Sequence, residues 1–448
     1  MPVTRWHADL AWTGWPASRV LIEAEGERIT SVTADVDRPP DAVRLAGITV
    51  PGLANAHSHA FHRALRGRTQ ARSGDFWSWR EQMYAVAARL DPDRYYALAR
   101  ATYAEMALAG ITAVGEFHYL HHQRGGRPYA DPNAMAAALV QAAADAGVRL
   151  TLLDTCYLQA DVDGRPLTGT QLRFTDGDAA GWAARVDGLV ATDTVRVGAA
   201  IHSVRAVDPE SMRAVARWAG ERRAPLHVHL SEQRAENAAC LAVHGATPTA
   251  LLADSGALGE RTTAVHATHV ESADVELLGA SGTSVCMCPT TERDLADGVG
   301  PAGRMAAAGS PLCLGSDSNA VVDLWEEARG VELDERLVTG QRGQHRPEAL
   351  LVAATAGGMA ALGWPAGGLE PGGLADFVTL RADSPRLAGV DPAVLAAYLV
   401  FAASAGDVSS VVVGGRAVVR AGRHLGVPEV GAELSAAIGP LVSPAGPR

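Results

Sequence analysis

Histidines and a carboxylate recur in this sequence directly after apolar, strand-like runs. His57 and His59 end the run that starts at Ile48, His229 ends a later run, and Asp317 follows the last one. Because side chains alternate along a strand, His57 and His59 share one face. Neutral imidazoles and a carboxylate suit zinc and related divalent metals. A His-x-His pair alone is a weak signal in a chain with 15 histidines, so the surrounding elements must support a metal site.

The elements that must position these residues alternate along the chain. Apolar runs typical of strands cover residues 48–56, 111–117, 148–153, 195–201, 225–229, 263–266, 283–287 and 311–314. Alanine-rich helical stretches lie between them, at residues 94–109, 132–146, 209–222, 249–258 and 272–280. Eight strands alternating with helices predict an α/β fold, a TIM-like (β/α)8 barrel. The His-x-His pair, His229, His266 and Asp317 then fall at the carboxyl ends of strands one, five, six and eight, where such barrels place their active sites.

The two ends of the chain have a different pattern. Short alternating runs typical of strands occur at residues 19–23, 28–32, 375–380 and 411–419. The Gly414-Gly415 pair is a hairpin-turn signal. We therefore expect residues 1–50 and 365–448 to build one small discontinuous β-sandwich domain beside a barrel of residues 51–364. The first connection of that barrel, residues 61–110, is long enough for a lid or a binding loop.

Charge and composition exclude several classes of partner. The 448 residues carry a formal net charge of −11, which argues against nucleic acid, because phosphate binding needs a basic face. The longest apolar run, residues 394–405, is too short to span a membrane and predicts a core helix. Five cysteines, mostly in apolar runs, and a start without an apolar signal core predict reduced thiols in a cytoplasmic protein. The expected assembly is a homodimer.

Lysine is absent from the chain, so all 39 of its Lys and Arg residues are arginines. This absence excludes Schiff-base chemistry and a phosphate-loop lysine. It also excludes a carboxylated lysine that bridges two metal ions. A metal site in this chain is therefore predicted to be mononuclear.

The constellation of a His-x-His pair, two later histidines and an aspartate resembles the amidohydrolase superfamily, in its mononuclear deaminase branch. The similarity covers nearly the full length and includes the late stretch 368–377, Gly-Leu-Glu-Pro-Gly-Gly-Leu-Ala-Asp-Phe. It implies one divalent metal, usually zinc, with the ligands His57, His59, His229 and Asp317. It also implies that Glu232, three residues after His229, is the proton shuttle and that His266 is the histidine of the sixth strand.

The chemistry of these residues agrees with that resemblance. Three imidazoles and one carboxylate leave a position open for water, whose pKa a metal lowers toward roughly 7. Asp317 can take the proton of this water, and Glu232 can pass a proton to a nitrogen that leaves as ammonia. His266 can stabilise charge that develops on the attacked centre. The expected reaction is hydrolysis at a carbon bonded to nitrogen.

Several local strings are similar to one group of deiminases in this superfamily, namely residues 55–61, 76–81, 115–122, 202–207 and 288–292. That resemblance implies a small dicarboxylate substrate that carries an amidine, and substrate-side roles for Arg80, Tyr119, His202 and Arg205. Guanidinium groups grip carboxylates with paired hydrogen bonds, which agrees with the two arginines. His62 stands where this group commonly has Gln, and is expected to contact the substrate. Arg293-Asp294 is a second departure, since Ala-Asn is common there.

Two alternatives to this substrate stay open. One is a mononuclear-metal deaminase of an aminated heterocycle, such as a purine or pterin, although Arg80 and Arg205 argue against a neutral ring. The other is a non-catalytic relative that uses the fold as an interaction scaffold. Loss of a ligand is the usual mark of such a relative, and no ligand is lost here.

Other histidines and cysteines have simpler interpretations. His227 shares its strand face with His229 but lies deeper, so a core hydrogen bond is expected. Cys286 and Cys288 have metal-pair spacing, but four better ligands are present, and packing is favoured. At most one of the histidines at positions 118, 121 and 122 is expected near the substrate.

Overall fold

A computed structural model of the protein describes residues 3–71, 73–74, 76–365 and 367–442. Four strands open the chain, β1 (Val3–Trp12), β2 (Pro16–Glu25), β3 (Arg28–Thr33) and β4 (Val43–Pro51). The next strand, β5 (Leu53–Ser58), begins after a single residue, Gly52. The prediction of one strand over residues 48–56 was therefore wrong, because Gly52 divides it between two sheets.

Gly52 marks the boundary between the two sheets for a steric reason. Its amide donates a hydrogen bond to the carbonyl of Asp376 (3.0 Å), and a Cβ atom here would lie 2.2 Å from Oγ1 of Thr112. Only glycine lets the chain pass this close to its neighbours. The change of direction sends β4 to the terminal sheet and β5, which carries His57, to the barrel.

The barrel is an eight-stranded parallel sheet that confirms the predicted (β/α)8 architecture. Its later strands are β6 (Ile111–His118), β7 (Arg149–Cys156), β8 (Val195–Ile201), β9 (Leu226–Leu230), β10 (Thr262–His266), β11 (Ser284–Met287) and β12 (Leu312–Leu314). The sheet closes where Ser58 pairs with Asp317. In this closure the Asp317 amide donates to the His57 carbonyl (3.0 Å), and the His59 amide donates to the Asp317 carbonyl (3.1 Å).

The described residues form fifteen α-helices, most of which lie between successive barrel strands in the sequence. They are α1 (Phe76–Ala87), α2 (Pro92–Leu108), α3 (Ala134–Ala146), α4 (Ala179–Val186), α5 (Pro209–Arg222), α6 (Arg234–His244), α7 (Pro248–Asp254), α8 (Ser272–Ser281), α9 (Pro289–Asp294), α10 (Ala302–Ala308), α11 (Leu324–Thr339), α12 (Pro347–Val352), α13 (Gly358–Ala361), α14 (Leu395–Ala402) and α15 (Val430–Val442). Short 3-10 segments occur at Ala60–Leu65, Arg124–Gly126, Gly169–Arg173, Pro392–Val394 and Ala405–Asp407, and a π-helical turn at Ala353–Gly357. The long first connection is thus not irregular: it carries Ala60–Leu65, α1 and α2.

The terminal strands form a second, separate sheet, as the sequence predicts. It is completed by β13 (Phe377–Leu380), β14 (Val408–Val413), β15 (Arg416–Arg420) and β16 (Arg423–His424). The strand order is β16-β15-β14-β13-β4-β1-β2-β3, and the sheet curls so that Arg28 bridges to Leu374. Its own core centres on Trp6 and Phe377, whose rings pack edge-on at 5.2 Å. Gly414 and Gly415 have φ values of 56° and 73°, which make the tight hairpin turn that their pairing predicts.

One ion-pair network ties this sheet to the bottom of the barrel. Arg149 at the start of β7 is fully buried, and its Nε donates to Asp376 (2.7 Å), while its Nη1 lies 3.1 Å from Glu27.

None of the described helices combines the length and the apolarity needed to cross a membrane. The predicted core helix at 394–405 is confirmed as α14, which is largely buried. The exact domain boundaries stay a prediction.

Candidate metal centre and active site

Four of the predicted residues meet at the carboxyl ends of the barrel strands. Nε2 of His57 lies 3.1 Å from Nε2 of His229 and 3.3 Å from Oδ1 of Asp317. Nε2 of His59 lies 3.4 Å from the same oxygen. All four side chains are buried. Strand alternation and barrel closure together bring residues that are 260 positions apart in sequence around one carboxylate.

Backbone carbonyls orient two of these imidazoles. Nδ1 of His59 bonds to the carbonyl of Phe117 (3.0 Å), and Nδ1 of His229 bonds to the carbonyl of His202 (2.9 Å). A carbonyl accepts only, so each Nδ1 must carry the proton, and each Nε2 is left with a lone pair, beside Asp317 for His59 and beside His57 for His229. This arrangement of the outer nitrogen is the usual one for histidines that bind a metal.

The donor set fits one divalent metal, and a coordination number of five would leave one position for water. Ligand atoms about 2.0–2.1 Å from a tetrahedral zinc lie about 3.3–3.4 Å from one another. The separation of 3.1 Å between His57 and His229 and those of 3.3 and 3.4 Å from Asp317 to His57 and His59 are close to this spacing. Burial lowers the pKa of His57, His59 and His229, which keeps the imidazoles neutral, as metal binding requires. Burial opposes the charge on Asp317, but its hydrogen bond with His57 and the positive charge of His266 hold its pKa below the usual range.

His266 lies against the same cluster but has a carboxylate on its other side. Its Nε2 is 3.8 Å from Asp317 and 3.9 Å from Glu232, and its Nδ1 is 3.2 Å from Oε1 of Glu292. Burial alone would lower its pKa, but the hydrogen bond to Glu292 and the nearby charges of Glu232 and Asp317 raise the pKa of His266 to about 10. The imidazolium form can donate a hydrogen bond to a negatively charged group in the pocket. Glu232 itself is buried, and burial raises the pKa of its carboxyl group.

The backbone is strained where these residues project. His266 has φ = 70° and Asp317 has φ = 42°, both in the left-handed region that non-glycine residues rarely adopt. Such strain persists only where the surrounding structure holds it, and it clusters at functional sites. Asn55 on β5 provides part of that support, because its Oδ1 accepts from the Ser316 amide (2.9 Å).

A pocket of about 580 Å³, its mouth included, opens in front of the cluster. All the predicted substrate-side residues line it, namely His62, Arg80, Tyr119, His202 and Arg205. His62 and Tyr119 form a buried pair, in which Nε2 and the hydroxyl are 2.8 Å apart. Arg80 projects from α1, half-buried, with its guanidinium carbon 4.3 Å from the ring centre of Trp77. In the part of the chain that the structure describes, no carboxylate forms an ion pair with Arg80.

Arg205 lies between two carboxylates, an arrangement that the sequence did not predict. Its Nε is 2.8 Å from Oε2 of Glu236, and its Nη2 is 3.3 Å from Oε2 of Glu232. Glu236 and Glu292 are the two buried acids of this site that sequence reasoning missed. Glu236 follows Glu232 by four residues in the same segment, and Glu292 ends the Thr-Thr-Glu string, so both had a signal in the sequence but no assigned partner.

The simpler interpretations hold for the remaining residues. His227 bonds to the carbonyl of Ala361 (3.0 Å) in the core, as expected. Cys286 and Cys288 pack with Cys313 in a buried apolar cluster. The histidines at 118, 121 and 122 are buried beside Asp154 and Asp176, outside the pocket lining. Arg293 forms surface ion pairs with Asp334 and Glu326, away from that lining.

Comparisons with known proteins agree with this geometry. A sequence model of the Amidohydrolase family matches residues 48–418. Formimidoylglutamate deiminase of Pseudomonas aeruginosa is 37% identical over 425 residues, which cover 92% of this chain and 93% of that protein. The 5-methylthioadenosine/S-adenosylhomocysteine deaminase of Halobacterium salinarum is 30% identical over 411 residues, covering 90% and 88%. The crystal structure of an amidohydrolase from Brucella melitensis superposes with a TM-score of 0.91 at 34% identity, covering 98% of this chain and 100% of that one.

Proposed function

Since this chain belongs to the amidohydrolase family and is a hydrolase acting on C–N bonds, we propose that its substrate is N-formimidoyl-L-glutamate. Water would replace the terminal nitrogen of the amidine, so the products are N-formyl-L-glutamate and ammonia. This is a step of histidine degradation. The observation that carries the proposal is that Arg80 and Arg205 line the same pocket as the histidine–aspartate cluster.

We propose that His57, His59, His229 and Asp317 hold one divalent metal and that this metal is zinc. Imidazole and carboxylate donors at this spacing suit zinc, and a chain without lysine cannot supply the carboxylated lysine of a two-metal site. When bound, the metal supplies Lewis acidity that makes a water nucleophile available near neutral pH.

Three side chains would then handle protons and charge. Asp317 accepts a proton from the attacking water, and Glu232, whose pKa is raised by burial, passes a proton to the leaving nitrogen. His266, kept protonated by its hydrogen bond to Glu292, donates to the group on which charge develops. Each of these side chains lines the pocket.

The two carboxylates of the substrate require cationic or multi-donor partners once they leave water. Arg80 has no carboxylate partner among the described residues, and Arg205 borders the pocket. Tyr119 and His202 supply further hydrogen-bonding groups that line the pocket. The similarity to a formimidoylglutamate deiminase over 92% of the chain supports this substrate.

The alternative is deamination of an aminated heterocycle. The 30% identity to a nucleoside deaminase and the aromatic lining of the pocket, including Phe76, Trp79 and Tyr157, favour it. Two arginines at the pocket argue against a neutral ring, because such a ligand brings no carboxylate for a guanidinium to bind with paired hydrogen bonds. The predicted homodimer and cytoplasmic location stay predictions.

Ammonia release from zinc-reconstituted protein tests the proposal. Formimidoylglutamate, formimidoylglycine and an aminopurine nucleoside would be compared, with metal-depleted protein as the control. The proposal predicts that kcat/KM is highest for formimidoylglutamate, lower for formimidoylglycine, and that the metal-depleted protein is inactive. A preference for the nucleoside would replace the proposed substrate with the alternative.

A further inference from the structure

Glu236 is a buried carboxylate beside the pocket that the reaction described above does not use. It lies in the first turn of α6 and is 2% exposed. Its Oε1 accepts a hydrogen bond from the backbone amide of Ser231 (3.1 Å), and its Oε2 lies 2.8 Å from Nε of Arg205. One carboxylate therefore contacts both the segment that carries Glu232 and the arginine that borders the substrate.

Ser231, whose amide donates to Glu236, has an unusual backbone conformation. Ser231 has φ = 49°, in the left-handed region, and directly precedes Glu232. A hydrogen bond to its amide holds the turn at which β9 ends and Glu232 projects into the pocket. Glu232 is also tied from the other side, because Nη2 of Arg205 donates to its Oε2 (3.3 Å).

We propose that Glu236 is a positioning residue that fixes Arg205 and Glu232 relative to each other. By holding Nε of Arg205, it directs the outer nitrogens of the guanidinium toward the pocket. By holding the Ser231 amide, it fixes where Glu232 leaves the backbone. The inference rests on the proposed function in one respect, since it takes Arg205 as a group that binds a substrate carboxylate.

This geometry lets a substrate carboxylate take the place of Glu232 as a partner of Arg205. Without substrate, Arg205 pairs with Glu236 through Nε and with Glu232 through Nη2. A substrate carboxylate competes with Glu232 for the outer nitrogens, while Glu236 retains Nε. Binding of a carboxylate-bearing substrate therefore frees Glu232 to move a proton, and a substrate without a carboxylate leaves the Arg205–Glu232 pair intact.

The test is a double-substitution cycle between Glu236→Gln and Arg205→Met. Glutamine keeps the shape of the side chain and can still accept from the Ser231 amide, but it removes the charge that holds Nε of Arg205. Substitutions of groups that orient metal ligands typically cost about 10–100-fold, and we use the same scale for a group that orients Arg205. We expect kcat/KM for formimidoylglutamate to fall about 10–100-fold in Glu236→Gln, mainly through KM. This loss should largely disappear in the Arg205→Met background.

A matched control is Glu332→Gln on α11. Glu332 is also a buried carboxylate that accepts from backbone amides and pairs with an arginine, Arg336 (2.6 Å), but it does not line the pocket. It should lose stability without a change in KM. Glu236→Asp, which keeps the charge but shortens the side chain, should retain more of the activity than Glu236→Gln.

Two results would overturn the inference. One is that the losses of Glu236→Gln and Arg205→Met multiply in the double variant, which would show that the two residues act independently. The other is an unchanged KM in Glu236→Gln. If the wild-type protein does not hydrolyse formimidoylglutamate, the proposed function fails, but the same cycle measured on urea unfolding still tests the Glu236–Arg205 contact. Additive unfolding free energies would then overturn the positioning role.

Discussion

Two buried clusters of histidine and aspartate lie near the carboxyl ends of the barrel strands, and they differ in how the aspartate is neutralised. Among the described residues, the ion-pair partners of Asp317 are imidazoles and not arginines, with His57 at 3.3 Å, His59 at 3.4 Å and His266 at 3.8 Å. Asp154 has His118 and His121 as neighbours, but both of its oxygens accept from Arg185 at 2.8 Å. Similar residue types therefore form a histidine-rich set of candidate metal ligands in one place and an aspartate paired with a buried guanidinium in the other.

The same contrast extends to the two arginines. Arg185 contacts Asp154 and Asp176 with paired hydrogen bonds and lies outside the pocket lining. Arg205 also lies between two carboxylates, Glu232 and Glu236, but with one contact to each and with the pocket in front of it. A fully paired arginine is part of the scaffold, whereas a partly paired arginine at a pocket can bind an anion.

The largest effect is expected at Glu232, beside the first cluster, which consists of His57, His59, His229 and Asp317. A substitution there separates the loss of a proton carrier from the loss of a metal ligand. Glu232→Gln removes a group that moves a proton but leaves the four ligands in place. Turnover should fall about 10²–10⁴-fold, while the metal content stays that of the wild type. Steady-state ammonia release and metal analysis on the same preparation check this. Near-normal turnover would show that another residue moves the proton.

Substitution in the second cluster, which consists of His118, His121 and Asp154, should instead lower the stability of the fold. Asp154→Asn leaves the buried Arg185 with one carboxylate partner, and breaking one member of a buried ion pair costs about 3–5 kcal/mol. We expect this loss in the free energy of unfolding, measured in urea, with the metal content unchanged. Asp37→Asn serves as the control, because the Asp37 side chain is 99% exposed and its loss should be small. Loss of metal from Asp154→Asn would mean that the second cluster also binds a metal.

Arg205→Met sharpens the difference between the two arginines. A substrate carboxylate left unpaired in the pocket would lose about 3–5 kcal/mol. The ratio of kcat/KM for formimidoylglutamate to that for a formimidoyl compound without a carboxylate should therefore fall sharply. The matched change Arg185→Met should lower stability and leave this ratio as it is in the wild type. If Arg205→Met also leaves the ratio unchanged, Arg205 is structural, and the dicarboxylate assignment loses its main physical support.

The smallest effect is expected at Arg293, one of the departures from the related deiminases. Its ion pairs with Asp334 and Glu326 lie at the surface, where such pairs contribute about 0–1 kcal/mol. Arg293→Ala should change the free energy of unfolding by less than about 1 kcal/mol and should not alter substrate preference. A shift in preference toward the nucleoside would show that the loop after β11 selects the substrate.

The sequence predicted the elements of this molecule better than the contacts between them. The run 195–201 matches β8 at both ends, and 263–266 matches β10 within one residue, because apolar runs flanked by helices leave little choice of structure. The break at Gly52 was missed although Pro51 and Gly52 are residues that often mark a turn, because the apolar residues on both sides are typical of one buried strand. What reveals the break is the approach of Thr112, which is 60 residues away in sequence.

In the candidate site, too, the positions along the elements were predicted and the contacts between elements were not. The histidines of the first cluster follow from strand alternation and their place at strand ends. The carboxylate partners of Arg205 and the Glu292 contact of His266 do not, because they join different barrel strands and loops. Such pairings depend on which strand lies beside which, and only the closed barrel establishes that order.

Metal analysis of the wild type, Asp317→Asn and Asp154→Asn, after metal removal and reconstitution with zinc, tests the contrast between the two clusters most directly. The account predicts one zinc per chain in the wild type and in Asp154→Asn, and little or none in Asp317→Asn, because Asp154 is already paired with Arg185 whereas Asp317 lies among the proposed metal ligands. Two zinc ions per chain in the wild type, or full zinc retention in Asp317→Asn, would contradict it.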